Sequence, residues 1–154
     1  MLHLRRSLRA CSCRGCVSRY LKSLGIDEND VVVGHSSGAV ALTRLCEDVR
    51  VRALVLVATC WTDQGQAYDR AHGYYSRPWR WDRIKANCGT VLQFHSASDS
   101  SSPKEAREIA GWLGSAYHDL PEKGHYQHRT QPEVLAGILA LPPLEPAPTR
   151  GSRA

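Results

Sequence analysis

Three consecutive valines, Val31–Val33, run directly into Gly34-His35-Ser36-Ser37-Gly38, and the chain continues through Ala39-Val40-Ala41-Leu42. A β-branched run fits a strand, and the residues after the pentapeptide fit a helix. The chain must therefore turn within a few residues, and Gly-x-Ser-x-Gly at such a junction is the pattern of a nucleophile elbow. That turn presents the serine hydroxyl above the sheet, with glycine (here Gly34 and Gly38) where the backbone folds tightly and neighbours approach. His35 occupies the x position and reads as a positioning residue. A plain glycine-serine turn could carry the same letters, so the elbow requires partners elsewhere in the chain.

The 154 residues suffice for one domain with a single core. The formal net charge of +5 suggests a polyanion partner until it is located. Residues 1–22 hold Arg5, Arg6, Arg9, Arg14, Arg19 and Lys22 with no acid, whereas residues 23–141 hold 12 basic and 14 acidic residues, a net of −2. The excess lies at the ends, so a basic nucleic-acid groove built into the fold is not expected. No segment is apolar for long enough to span a membrane, and residues 1–22 lack the apolar region of a secretory signal. Residues 1–22 read as a basic, disordered or atypical leader, and the proline-rich stretch 142–154 as a disordered tail. Cys11, Cys13 and Cys16 form C-x-C-x-x-C, but no second Cys/His cluster follows at zinc-site spacing, so no metal is expected. Cys46, Cys60 and Cys88 are scattered and read as free thiols of a reducing compartment. A cytoplasmic location follows; the arginine-rich, acid-free start offers a mitochondrial address as the alternative.

Between these ends the pattern is regular. Strands are expected at Val31–Val33, Val51–Ala58, Thr90–Phe94 and Ala116–Leu120. Helices are expected from Ser37 to about Val49, from Pro103 to about Leu113 and over Pro132–Leu141. The run Val51–Ala58 is almost wholly apolar, as a strand covered on both faces should be. Ser102-Pro103-Lys104-Glu105 is a helix start, with serine as N-cap, proline first in the helix and glutamate three residues past the cap. Residues 60–87 break the rhythm with polar and aromatic side chains. Alternating strands and helices predict an α/β fold: a parallel sheet of about four strands flanked by helices.

Functional groups in such sheets gather beyond the carboxyl ends of the strands. The third strand leads into His95-Ser96-Ala97-Ser98-Asp99 and the fourth into Pro121-Glu122-Lys123-Gly124-His125. An acid and then a histidine at these places complete the order Ser, Asp, His. Serine needs a base to take its proton, and a carboxylate to orient that base and stabilise it once charged. Asp99 could instead be an ordinary turn aspartate, and His128 competes with His125; Gly124 allows the tight loop that favours His125. His72, His95 and His118 carry no partner pattern and read as structural or surface residues.

Beyond these patterns, Val31–Arg44 (VVVGHSSGAVALTR), Arg52–Val57, Ser76–Trp81 (SRPWRW), Ile84–Cys88 (IKANC), Gln93-Phe94 and Gly124-His125-Tyr126 resemble the retinoblastoma-binding-protein-9-like serine hydrolases of the α/β-hydrolase superfamily. The resemblance covers about residues 20–141. It implies Ser36 as nucleophile, Asp99 as acid with Pro103 four residues on, and His125 as base. It also implies no metal or organic cofactor, and a small-molecule or peptide acyl substrate. The family pattern begins with a strand and a glycine-rich loop that lends one oxyanion-hole amide, and residues 1–22 show neither. The backbone amide of Ser37 is the remaining donor, and lack of the second would lower turnover by about two to three orders of magnitude. Without the first strand, Val31–Val33 would become an exposed edge. The family's Leu-x-Cys-x-Glu stretch corresponds to Leu24-Gly25-Ile26-Asp27-Glu28, where isoleucine replaces cysteine, so retinoblastoma protein is not expected as a partner by that route. The function implied is a serine hydrolase acting through an acyl-enzyme; the alternative is a catalytically impaired hydrolase scaffold serving as an interaction protein.

Overall fold

The computed structural model describes residue 19 and residues 21–143. Four strands form one sheet: β1 (Val31–His35), β2 (Val51–Val57), β3 (Cys88–His95) and β4 (Ala116–Asp119). Their spatial order is β1-β2-β3-β4 and every pairing is parallel. Parallel neighbours cannot be joined by hairpins, so the chain must cross over the sheet between strands. The helices after β1 among the described residues are α1 (Ser37–Leu45), α2 (Ala67–Ala71), α3 (Trp81–Asn87), α4 (Pro103–Leu113) and α5 (Pro132–Leu139). The expected α/β architecture with four strands is thus present.

The two faces of β2 explain its apolar run Ala53–Val57. Leu54 and Leu56 join a core with Leu42 and Leu45 of α1, Ile84 of α3, and Ile109 and Leu113 of α4. Val55 and Val57 point the other way, into a second core with Phe94, Tyr126 and Val134. Neither face meets water, and alternation of polarity gives way to continuous Ala, Leu and Val. On the second face, α5 lies so close that a Cβ at Gly137 would come within 2.8 Å of Phe94 Cζ.

The predicted start of α4 is realised: Ser102 Oγ accepts from the Glu105 amide at 3.4 Å and Pro103 opens the helix. The helix ends at Gly114, whose φ of 68° is left-handed, the conformation that glycine adopts without penalty. Other boundaries moved. Helix α1 stops at Leu45 rather than near Val49, because Glu47 and Asp48 turn back onto Arg44 and Leu45 carbonyls. Strand β1 runs on to His35, since residues 31–35 all have partners along β2. Residues 60–87, read as arrhythmic, contain α2 and α3. In α3 only Ile84 is buried, so the helix is too short and too thinly apolar to show a period.

Leu21 and Ile26 pack against the first core, so the chain meets the domain before β1. Residues 1–18 and 20 of the expected leader, with the C-x-C-x-x-C, and the tail from residue 144 lie outside the described residues. Among the described residues β1 is an edge strand, with Val33 about half exposed.

Candidate active site

Ser36 sits between β1 and α1 with φ 54° and ψ −125°, a left-handed conformation costing a non-glycine residue about 1–3 kcal/mol. Backbone bonds hold it there: its amide donates to Val57 O at 2.9 Å, and its carbonyl accepts from the amides of Ala39 at 2.9 Å and Val40 at 3.2 Å. The elbow is tight on one side only. A Cβ at Gly34 would lie 2.6 Å from Ala39 Cα, whereas one at Gly38 would meet nothing within 4 Å. The expectation that packing requires both glycines is therefore corrected: Gly34 is sterically required by its neighbours, and Gly38 stands in open space among the described residues. As the residue before α1, Ser36 is placed to cap the helix, yet its hydroxyl makes no cap bond. It turns instead to His125, with Oγ 2.9 Å from Nε2.

The other ring nitrogen, Nδ1 of His125, lies 3.0 and 3.2 Å from the two Asp99 carboxylate oxygens. The chain of contacts Ser36–His125–Asp99 is continuous. The carboxylate has no exposure and the imidazole is partly open. Burial alone would raise the Asp99 pKa, but hydrogen bonds from the Ser101 amide and from His125 outweigh it and hold the carboxyl below its ordinary range. His128, the rival base, lies away from this chain and lines an adjacent recess.

Two hydroxyls of the acid's loop build the base's loop. Ser96 Oγ accepts from the Lys123 amide at 3.1 Å, and Ser98 Oγ from the Gly124 amide at 3.0 Å. Glu122, Gly124 and Tyr126 have positive φ, so the segment folds back sharply, as Gly124 suggested. Tyr126 Oη then donates to His95 O at 2.7 Å. His35 Nε2 donates to the His125 carbonyl at 2.8 Å, linking the elbow to the base's loop. The Ser37 amide opens α1, where helical geometry provides no acceptor for it. The N-terminal segment that the family pattern would use for a second such donor lies outside the described residues.

No family model matches the chain. In sequence it is 40% identical to serine hydrolase RBBP9 of Rattus norvegicus over 119 residues, covering 77% of this chain and 64% of that relative. In structure it resembles the ydeN gene product of B. subtilis, with a TM-score of 0.68 at 18% identity, over 80% of this chain and 70% of the other. It also resembles MGS-MChE2, an alpha/beta hydrolase enzyme from the metagenome of lagoon sediments of Mar Chica, Morocco. There the TM-score is 0.54 at 18% identity, over 82% of this chain and 68% of the other. The chain has the α/β-hydrolase fold, and it spans less than two thirds of the length of the curated relative it matches.

Within this α/β-hydrolase fold, the residues that sequence reasoning missed lie behind the site. Glu47, at the end of α1, is fully buried and surrounded by arginines. Arg44 Nη1 lies 2.6 Å from its carboxylate, Arg80 Nη2 lies 3.2 Å away, and Arg77 makes a third ion pair. Arg44 also donates to the carbonyls of Tyr74, Arg77 and Pro78, and its guanidinium lies 3.4 Å from the Trp79 ring centroid. The helix that begins beside Ser36 is thereby bolted to residues 74–80. An Arg in the last turn of α1 and a Glu three residues on, followed by the basic RPWR stretch, was the available signal. Burial opposes ionisation of Glu47, but its hydrogen bonds and charge pairing with the arginines hold its pKa below the ordinary value.

Trp61, Trp79 and Trp81 pack on the first core, Trp79 stacks on Trp81 at 5.0 Å, and Trp112 of α4 joins them at 4.8 Å from Trp81. Trp61 is further tied to Glu108 through its ring nitrogen, at 2.7 Å. The recess beside His125, about 520 Å³, is lined among others by Ser98, Glu122, Lys123, Gln127 and His128.

His118 stacks on Phe94, and His72 rests beside Tyr68, in keeping with structural or surface roles. His95 is different: it has no exposure, and neither ring nitrogen has a hydrogen-bond partner among the described residues. Burial holds its pKa below the ordinary histidine value. The sign of the resulting pH dependence is the same for all three buried groups. The unfolded chain binds protons at His95 below about pH 6.5, and at Glu47 and Asp99 below about pH 4.5, while the folded chain resists each. Stability is complete above these values and is lost as pH falls through them. Thermal unfolding is expected to be insensitive to pH between about 7 and 8. The melting temperature should decline gently below about 6.5 and steeply below about 4.5. A constant melting temperature from neutral pH to about 4 would contradict the assignment of these groups.

Proposed function

We propose that this chain is a serine hydrolase that cleaves an ester or amide bond of a small-molecule or peptide acyl substrate. One observation carries the reading: Ser36 Oγ, the His125 imidazole and the Asp99 carboxylate form an unbroken hydrogen-bonded series. His125 Nε2 takes the Ser36 proton as the hydroxyl oxygen attacks the substrate carbonyl. The buried Asp99 fixes the tautomer with the proton on Nδ1 and stabilises the imidazolium as it forms. Its lowered pKa keeps it ionised, as that role requires. The Ser37 amide donates to the oxyanion, helped by the positive end of α1. His125 then returns the proton to the leaving group, and water activated by the same imidazole releases the acyl group. The strained Ser36 backbone supports the reading, because a left-handed serine is a cost that a plain connecting turn has no reason to bear.

A fluorophosphonate probe applied to folded protein is expected to phosphonylate Ser36, identified by mass mapping of the modified peptide. Folded protein that remains unmodified would sink the proposal. Asp99→Asn keeps the shape but favours the wrong imidazole tautomer. It should lower kcat on an activated ester by about four orders of magnitude with the melting temperature little changed.

A further inference from the structure

A second cavity lies at the opposite end of the sheet from Ser36. Its volume is about 530 Å³, and its lining includes Arg50, Arg52, Glu28, Asn87, Cys88 and Gly89. Cys88 is the first residue of β3 and is partly exposed. It packs against the core in which Cys46, the residue closing α1, is wholly buried. Asn87 Nδ2 donates to the Cys46 carbonyl at 2.9 Å, fixing the backbone beside one thiol against the backbone of the other. The cavity therefore has an open thiol at its wall, a buried thiol behind it and two arginines at its side.

We infer that this cavity is a thiol-modification site, in which Cys88 reacts with an anionic low-molecular-weight disulfide of the glutathione class and Cys46 then displaces it to form a Cys46–Cys88 disulfide. Arg50 and Arg52 supply the attraction for the carboxylates of such an oxidant. Glu28 is the one acid in the lining. The order of events follows from access. The neighbouring Cys88 thiol, foremost, and burial push the Cys46 pKa far above the ordinary cysteine range, so Cys46 does not start the exchange.

Cys88 Sγ, as thiolate, attacks one sulfur of the small disulfide. The small disulfide's S–S bond breaks, a mixed disulfide forms at Cys88, and one small thiolate departs and takes up a proton. Cys46 then gives up its proton and attacks Cys88 Sγ, expelling the second small thiol. Two protein thiols lose two electrons in all, and one small disulfide becomes two thiols. The product joins the end of α1 to the start of β3, two segments already held in contact.

Folded full-length protein incubated with glutathione disulfide, blocked with iodoacetamide and mapped by peptide mass tests this. The expected product is a linked pair of peptides carrying Cys46 and Cys88, lacking two hydrogens, and reversed by excess reduced glutathione. Cys46→Ala, checked for folding by circular dichroism, should stop at the glutathione adduct on Cys88. Arg50→Ala should slow the reaction several-fold with glutathione disulfide but not with neutral hydroxyethyl disulfide. Adducts confined to other cysteines, or to Cys88 with no link to Cys46 in the unmutated chain, would overturn the inference. Mapping the unmutated protein decides the matter even where a variant fails to fold.

Discussion

Replacing Ser36 by alanine is expected to abolish fluorophosphonate labelling and to lower hydrolysis of an activated ester by at least about three orders of magnitude. The size follows from how the three groups divide the work. His125 has a proton to accept only if an attacking hydroxyl stands 2.9 Å away, and without it the His125–Asp99 pair has nothing to activate. What remains is the contribution of binding and of the Ser37 amide, and water must attack unaided. The fold should survive, because the Ser36 side chain caps no helix and the residue is held by bonds of its backbone atoms. Alanine at the same positive φ bears a comparable strain, so the melting temperature should hardly move. Undiminished ester hydrolysis by the Ser36→Ala protein would place the chemistry elsewhere.

Removing the Glu47 carboxylate is expected to produce the largest loss of stability of any single substitution considered. Glu47→Ala leaves Arg44 buried, with only a few per cent of its side chain exposed, and takes away the carboxylate 2.6 Å from its Nη1. Breaking a buried ion pair in this way costs about 3–5 kcal/mol. The lower end is expected, because Arg44 retains the Tyr74, Arg77 and Pro78 carbonyls as acceptors. For a chain of this size that corresponds to a fall of about 10 °C in melting temperature. Arg77 and Arg80 are about one-third exposed and can turn to water, so their loss of a partner adds little. Adding Arg44→Met to Glu47→Ala should recover part of the loss by removing the stranded charge. A Glu47→Ala protein that melts within a degree or two of the parent would show that the cluster is not a stabilising unit.

The strands and the site were legible in the sequence for a shared reason. A parallel sheet covered on both faces writes itself as apolar runs, and functional groups in such a fold follow the strand ends. Val51–Val57, the sequel of β3 to Asp99, and Gly124-His125 could therefore be placed without coordinates. The Glu47 cluster could not, because its partners lie some 30 residues further along the chain and charged residues carry no periodicity. The role of the tryptophans was equally hidden. Trp79 and Trp81 would look the same lining a pocket as stacked on each other, and only their contacts with α4 distinguish the two. Ser96 and Ser98 read as ordinary loop serines, and their value appears only when the amides of Lys123 and Gly124 arrive opposite them.

Those two hydroxyls have a mechanical consequence. Because the loop bearing Asp99 grips the loop bearing His125 at two amides, acid and base move as one piece, while Ser36 belongs to another, anchored through Val57 and α1. Between the two pieces run the Ser36–His125 contact and the His35 strut. Thermal breathing of this molecule should therefore separate Ser36 from His125 long before it separates His125 from Asp99.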